Sequence, residues 1–125
     1  MYPGYASRGH QAYANNAVSP QSQGQLIIML YDGAIKFIER AEEGIATHQI
    51  QEAHENIIKT QKIVNELMIT LKVDTGEVAQ QLLTLYQYMY QQLIQANIKK
   101  DVKLLGDVKE LLIGLREAWK QLQQK

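Results

Sequence analysis

The sequence predicts an all-α protein: an antiparallel up-down four-helix bundle over residues 22–125, preceded by a flexible N-terminal arm over residues 1–21. Three observations carry that expectation. Apolar residues recur at helical spacing in four successive segments of about 22–25 residues. Links of only a few residues join the segments, so consecutive helices must run antiparallel. Both prolines, Pro3 and Pro20, precede the periodic region. A chain of 125 residues is sized for one domain with a single modest core.

The arm is rich in small polar residues and has too little periodic apolar surface to offset its ordering entropy. Its tyrosines, Tyr2, Tyr5 and Tyr13, exceed what a plain linker needs. Helix 1 is expected from Ser22, with Gln25 completing a capping box, to about Ala46. Asp32-Gly33 within "QLIIMLYDGAIKFI" has the form of a hairpin turn. However, Leu26, Leu30, Ala34, Phe37, Ala41 and Ile45 keep helical register straight through it. Gly33 falls beside that stripe. A helical glycine costs roughly 1 kcal/mol relative to alanine and is best tolerated where another backbone comes close.

Helix 2 is expected from about Ile50 to Leu71, with Ala53, Ile57, Val64, Met68 and Leu71 inward. In "KVDTGEV", Asp74 and Glu77 read as the next capping box. Helix 3 follows from about Thr75 to Ile98, with Ala79, Leu82, Tyr86, Met89, Tyr90, Leu93 and Asn97 inward. Lys99 and Lys100 suit a helix C-terminus. Asp101 opens helix 4, whose inner stripe is Leu104, Leu105, Val108, Leu111, Leu112, Leu115, Trp119 and Leu122.

Composition excludes several functions. The 13 Lys+Arg balance the 13 Asp+Glu, and no basic patch stands out, so nucleic acid is not an expected partner. Without cysteine there is no disulfide, thiolate chemistry or Cys-ligated zinc. The N-terminus lacks a signal-peptide apolar core. The longest apolar run, residues 26–31, falls far short of the roughly 20 needed to span a bilayer, so no membrane insertion is expected. No Glu-x-x-His occurs, and His48, Glu52 and Glu55 read as a solvated polar face. Neither Gly-x-Ser-x-Gly nor a phosphate loop is present. No catalytic residue, metal or cofactor is therefore expected, and the chain does not read as an enzyme.

What remains is surplus apolar surface. Ile28, Tyr31 and Ile35 lie off the helix 1 stripe, and Leu85 and Tyr88 flank that of helix 3. Val102, Gly106 and Ile113 form a second line on helix 4. A bundle helix needs only about three apolar positions in seven. Coincidence on three helices predicts a contiguous groove for an amphipathic partner segment, with Gly106 admitting a close approach. The tyrosine-bearing arm is a candidate cover for that groove. The rival reading is a self-associating bundle whose extra stripes form a homo-oligomer interface.

"QLIIMLYDGAIKFIERA" resembles the opening helix of the FliS-type flagellar export chaperones, and "NIIKTQKIVNELMITL" their second. "LYQYMYQQLIQANIKKDVKLL" is similar to their Leu-Tyr-x-Tyr-Met signature, and "LREAWK" to their C-terminal end. The resemblance covers residues 22–125 and implies a cytoplasmic chaperone. Its client would be the disordered C-terminal segment of flagellin, kept from premature polymerisation and escorted to the flagellar type III export apparatus. It also implies the export gate and regulatory factors as further partners. Tyr13 matches the arm tyrosine tied to those contacts, while Tyr31, Asp32, Gly33 and Tyr88 match signature positions. The chain departs from the family pattern where Gln23 follows Ser22 and the proline stands earlier, at Pro20.

Overall fold

The computed structural model describes residues 20–71 and 76–124. Four helices make it up: α1 (Pro20–Ala46), α2 (Ile50–Thr70), α3 (Glu77–Lys99) and α4 (Val102–Gln123). Most of the expected arm, with Tyr13, and Asp74 of the expected capping box lie outside the described residues.

Helix α1 starts at Pro20, earlier than expected, so Ser22 sits within the first turn rather than capping it. Proline suits a first helical position because its missing N–H would have had no partner there. Asp32 and Gly33 are helix interior, and the hairpin signal loses to the apolar register around it. At the α1–α2 corner the Gln49 amide donates to the Gly44 carbonyl at 2.7 Å. A β-carbon on Gly44 would stand 3.0 Å from the Ala53 nitrogen and 3.1 Å from the Gln49 oxygen. Gly44 is thus a glycine that a neighbouring backbone presses on.

Helix α3 opens after Gly76, whose φ of +100° favours glycine. Glu77 is the first helical residue rather than the third, so it does not hold the expected capping-box position. Lys100 closes α3 in a left-handed conformation, its Nζ donating to the Asn97 carbonyl at 2.7 Å and to Asn97 Oδ1 at 2.9 Å. Asp101 caps α4 as expected, Oδ1 accepting from the Lys103 amide at 2.9 Å and the Leu104 amide at 3.3 Å.

Each helix packs on its sequence neighbours, and α1 on α4 closes the ring. Three cross-links fix the antiparallel register: Arg116 to Asp32, Lys109 to Glu42, and His54 to Asn97. The core holds Leu30, Ala34 and Ile38 of α1, Ile57, Val64 and Leu67 of α2, Met89 and Leu93 of α3, and Leu105, Val108 and Leu112 of α4.

The inward stripe of α1 is rotated from the expected one. Ile27, Tyr31, Ile35 and Ile38 are buried, whereas Leu26 and Phe37 are half-buried. Because α1 packs on both α2 and α4, its buried arc is wider than a single wheel stripe and reaches residues expected on an outer face. Tyr31, fully buried, donates to or accepts from Tyr86 across the bundle, their hydroxyl oxygens 2.5 Å apart. The pairing lets two large aromatic residues fill the bundle centre without orphaning a polar atom.

Candidate protein-docking surface

The core stripes of α3 and α4 run past the point where the bundle can cover them. Val78 and Leu82 lie on the side of α3 that carries Ala79 and Tyr86, and Trp119 and Leu122 extend the inner stripe of α4. These residues sit near the start of α3 and the end of α4, so no further turn of their own helix covers them. Val78 is 69% and Leu122 58% exposed. The result is an open cavity of about 570 Å³, lined by Ile27, Leu71, Val78, Leu82, Leu85, Tyr86, Leu115, Trp119 and Leu122 among others. Among the described residues, no Asp, Glu, Lys, Arg or His contributes to the lining.

Tyr86 lines this cavity, and its hydroxyl pairs with that of Tyr31 in the core behind it. Burial pushes the Tyr31 hydroxyl above its ordinary range, partly offset by hydrogen bonding with Tyr86 and Trp119. Burial likewise raises Tyr86, and the proximity of Tyr31 adds to the rise. Both phenols are therefore neutral at physiological pH and place no charge beneath the cavity.

The residues that the sequence placed in one groove fall into separate settings. Tyr31 and Ile35 are buried, at 0% and 6% exposure, and present no outer face. Leu85 is half-buried and lines the cavity, and Tyr88 is 52% exposed on α3. Ile28, Gly106 and Ile113 are half-buried, while Val102 is exposed. A β-carbon on Gly106 would face Glu42 at 3.8 Å, and helical spacing puts Gly106 and Ile113 beside Lys109 and Arg116, toward α1. Two ion pairs bridge that seam, Lys109–Glu42 at 2.8 Å and Arg116–Asp32 at 3.0 Å. Leu85 instead belongs to the α3–α4 seam. The surplus apolar residues thus flank α4 on both sides instead of forming one continuous groove. Leu82, Leu115 and Trp119 pack against the core as expected and also wall the cavity, whereas Leu122, expected inward, is exposed because it lies at the end of α4.

A second cleft, of about 650 Å³, lies between α1 and α2 and mixes charges of both signs, including Arg40, Glu52, Glu55 and Lys59. It suits solvent better than an apolar partner. His54 Nδ1 pairs with the Asn97 side chain. Among the described residues no group of three His, Asp or Glu is placed to hold a metal ion, and no helix is long and apolar enough to cross a membrane.

Comparison with known proteins gives a consistent result. The family model described as flagellar protein FliS matches residues 6–125. The flagellar secretion chaperone FliS of Bacillus subtilis is 39% identical over 112 residues, covering 90% of this chain and 84% of that protein. The chaperone of the same name from Escherichia coli is 35% identical, covering 94% and 90%. That from Salmonella typhimurium is 36% identical, covering 97% and 94%.

Proposed function

This chain belongs to the FliS family of flagellar proteins, and we propose that it is a cytoplasmic chaperone for the disordered C-terminal segment of flagellin. It sequesters that segment, prevents premature polymerisation, and delivers the subunit to the flagellar type III export apparatus. The observation that carries this reading is the open cavity at the end of the bundle, whose described walls are uncharged and mostly apolar, with Val78 and Leu122 exposed. A folded chain that leaves such apolar surface exposed gains free energy by burying it against a partner, at roughly 25 cal/mol per Å². The gain is reduced by the cost of ordering the client. No bond is made or broken; the activity is capture and release.

The client contacts that we assign are Leu85 and Tyr88 on the α3 side of α4, and Ile28, Val102, Gly106 and Ile113 on its α1 side. Tyr13 in the arm joins them. Tyr31 and Ile35 support the surface from within the core. The test is calorimetric titration with a peptide covering the C-terminal segment of flagellin from the same organism. One-to-one binding with a negative heat-capacity change is the expected result. Absence of binding by folded, monomeric protein would refute the reading. Sedimentation of the free protein completes the test, since a stable oligomer that occludes the cavity would favour self-association instead.

A further inference from the structure

Helix α3 is unlike the other three in its charge. Between Glu77 and Lys99, its end residues, it carries no charged side chain. Helices α1, α2 and α4 each carry acidic and basic residues along their length. Between those two ends, the exposed positions of α3 are instead Val78, glutamines, Thr84, Tyr88 and Ile98. At 1.5 Å per residue this neutral face runs for about 30 Å. Ordinary solvated surfaces are about 25–35% charged.

The neutral strip continues across the seam. Among the described residues the end cavity has no charged lining, and helical spacing turns Leu111, Leu115 and Ala118 of α4 toward α3. Gly114 stands on that rim. A β-carbon there would meet nothing within 4 Å, so internal packing does not require glycine at this position. Glycine in an exposed helix interior is a cost to the free protein, and here it leaves a notch one turn before the small side chain of Ala118.

Charge decides what such a strip accepts. A lysine or carboxylate pressed against it would lose its hydration and find no counter-ion. Along the α1 side of α4, by contrast, the available charges already pair with one another. Resting on the chaperone reading above, we propose that the end cavity, the α3 face around Tyr88 and the Gly114 notch together seat one helical client segment whose contact face is uncharged, aliphatic and amide-bearing. Recognition at this seat is independent of ionic steering.

The experiment is titration of the full chain with the flagellin C-terminal peptide, in wild type and three variants checked for fold by circular dichroism. Gly114→Leu projects into open space, Gln81→Glu charges an exposed residue of the cavity lining, and Asn65→Glu makes a like change on the exposed face of α2. Wild-type affinity is expected to change by less than about threefold from about 50 to 500 mM salt, where screening of exposed charges becomes nearly complete. Gly114→Leu and Gln81→Glu are each expected to weaken binding by about tenfold or more, and Asn65→Glu by less than about twofold. A steep loss of affinity with salt would overturn the neutral seat. So would strip variants that bind like wild type, although client capture itself would then stand. Failure of wild type to bind the peptide would sink the chaperone reading along with it.

Discussion

The Tyr31–Tyr86 pair makes a prediction that can be worked through from its burial. Tyr31 is 0% and Tyr86 2% exposed, and each hydroxyl is the other's partner at 2.5 Å. Tyr86→Phe removes one partner and leaves the Tyr31 hydroxyl in the core with reduced satisfaction, at a cost of about 1–3 kcal/mol. Replacing both tyrosines by phenylalanine leaves neither hydroxyl orphaned by the other. The double variant should therefore lose less than the sum of the singles, by about 1 kcal/mol of coupling. The same pair sets an alkaline limit. Both folded-state pKa values lie above the ordinary 10.0, so the folded chain holds protons that the unfolded chain releases. Their contribution is intact below about pH 10 and is lost as pH rises above it toward the folded values. Tyr86 alone removes on the order of 1 kcal/mol between neutrality and about pH 11, and Tyr31 adds to that loss. Urea unfolding across that range, in wild type, both single variants and the double, measures both effects. Strict additivity of the singles, or an alkaline loss that Tyr86→Phe leaves undiminished, would refute the reasoning.

Other outcomes follow from single contacts. Gly44→Ala forces a β-carbon to within 3.0 Å of the Ala53 nitrogen and should destabilise the chain by about 1–3 kcal/mol in urea unfolding. Gly114→Ala, built into open space, should stabilise it by up to about 1 kcal/mol in the same assay. Asp101→Ala removes the acceptor for two amides at the start of α4, and a loss of about 1 kcal/mol is expected. Trp119 is the only tryptophan in the chain and lines the end cavity, so its fluorescence should shift to shorter wavelength when client fills that space. An unchanged spectrum at saturating peptide would place the client elsewhere.

The four helices were legible because their apolar register is long and their links short; even Asp32-Gly33 could be read as helix. Helix ends were less legible. Pro20 is compatible with either a turn or a first helical residue, and Gly76 outcompeted the Asp74–Glu77 box only through a backbone conformation that no side chain announces. The site was read in part. Wheel angles separated Tyr88 and Val102 from the core stripes, and both are exposed. The same angles put Tyr31 and Ile35 outside, because a wheel drawn around one stripe underestimates a helix wedged between two neighbours. The reverse error befell Leu122, expected inward and 58% exposed, whereas Leu82 and Trp119 pack against the core as expected. Angle alone makes Leu122 core, yet burial also depends on what lies beyond the ends of the helices.

The two sides of α4 explain why the apolar excess looked like one groove. Off-stripe residues on a helix register only as an angle from the core, and that angle does not say which neighbour they approach. Toward α1, the excess lies under Glu42–Lys109 and Asp32–Arg116, whose half-exposed ion pairs add little stability individually but hold register. Toward α3, no charge among the described residues lines the cavity, and the hydrophobic stripes run out into solvent there. One side of α4 is thus bridged by the protein's own ion pairs, while the other ends in the apolar cavity. That asymmetry lets a small bundle keep its fold while leaving core-like side chains exposed at one end. The cost appears where it should if the exposure is functional: in a glycine that the free helix does not need, and in a helix whose solvent face carries glutamine where salt bridges would have been more soluble.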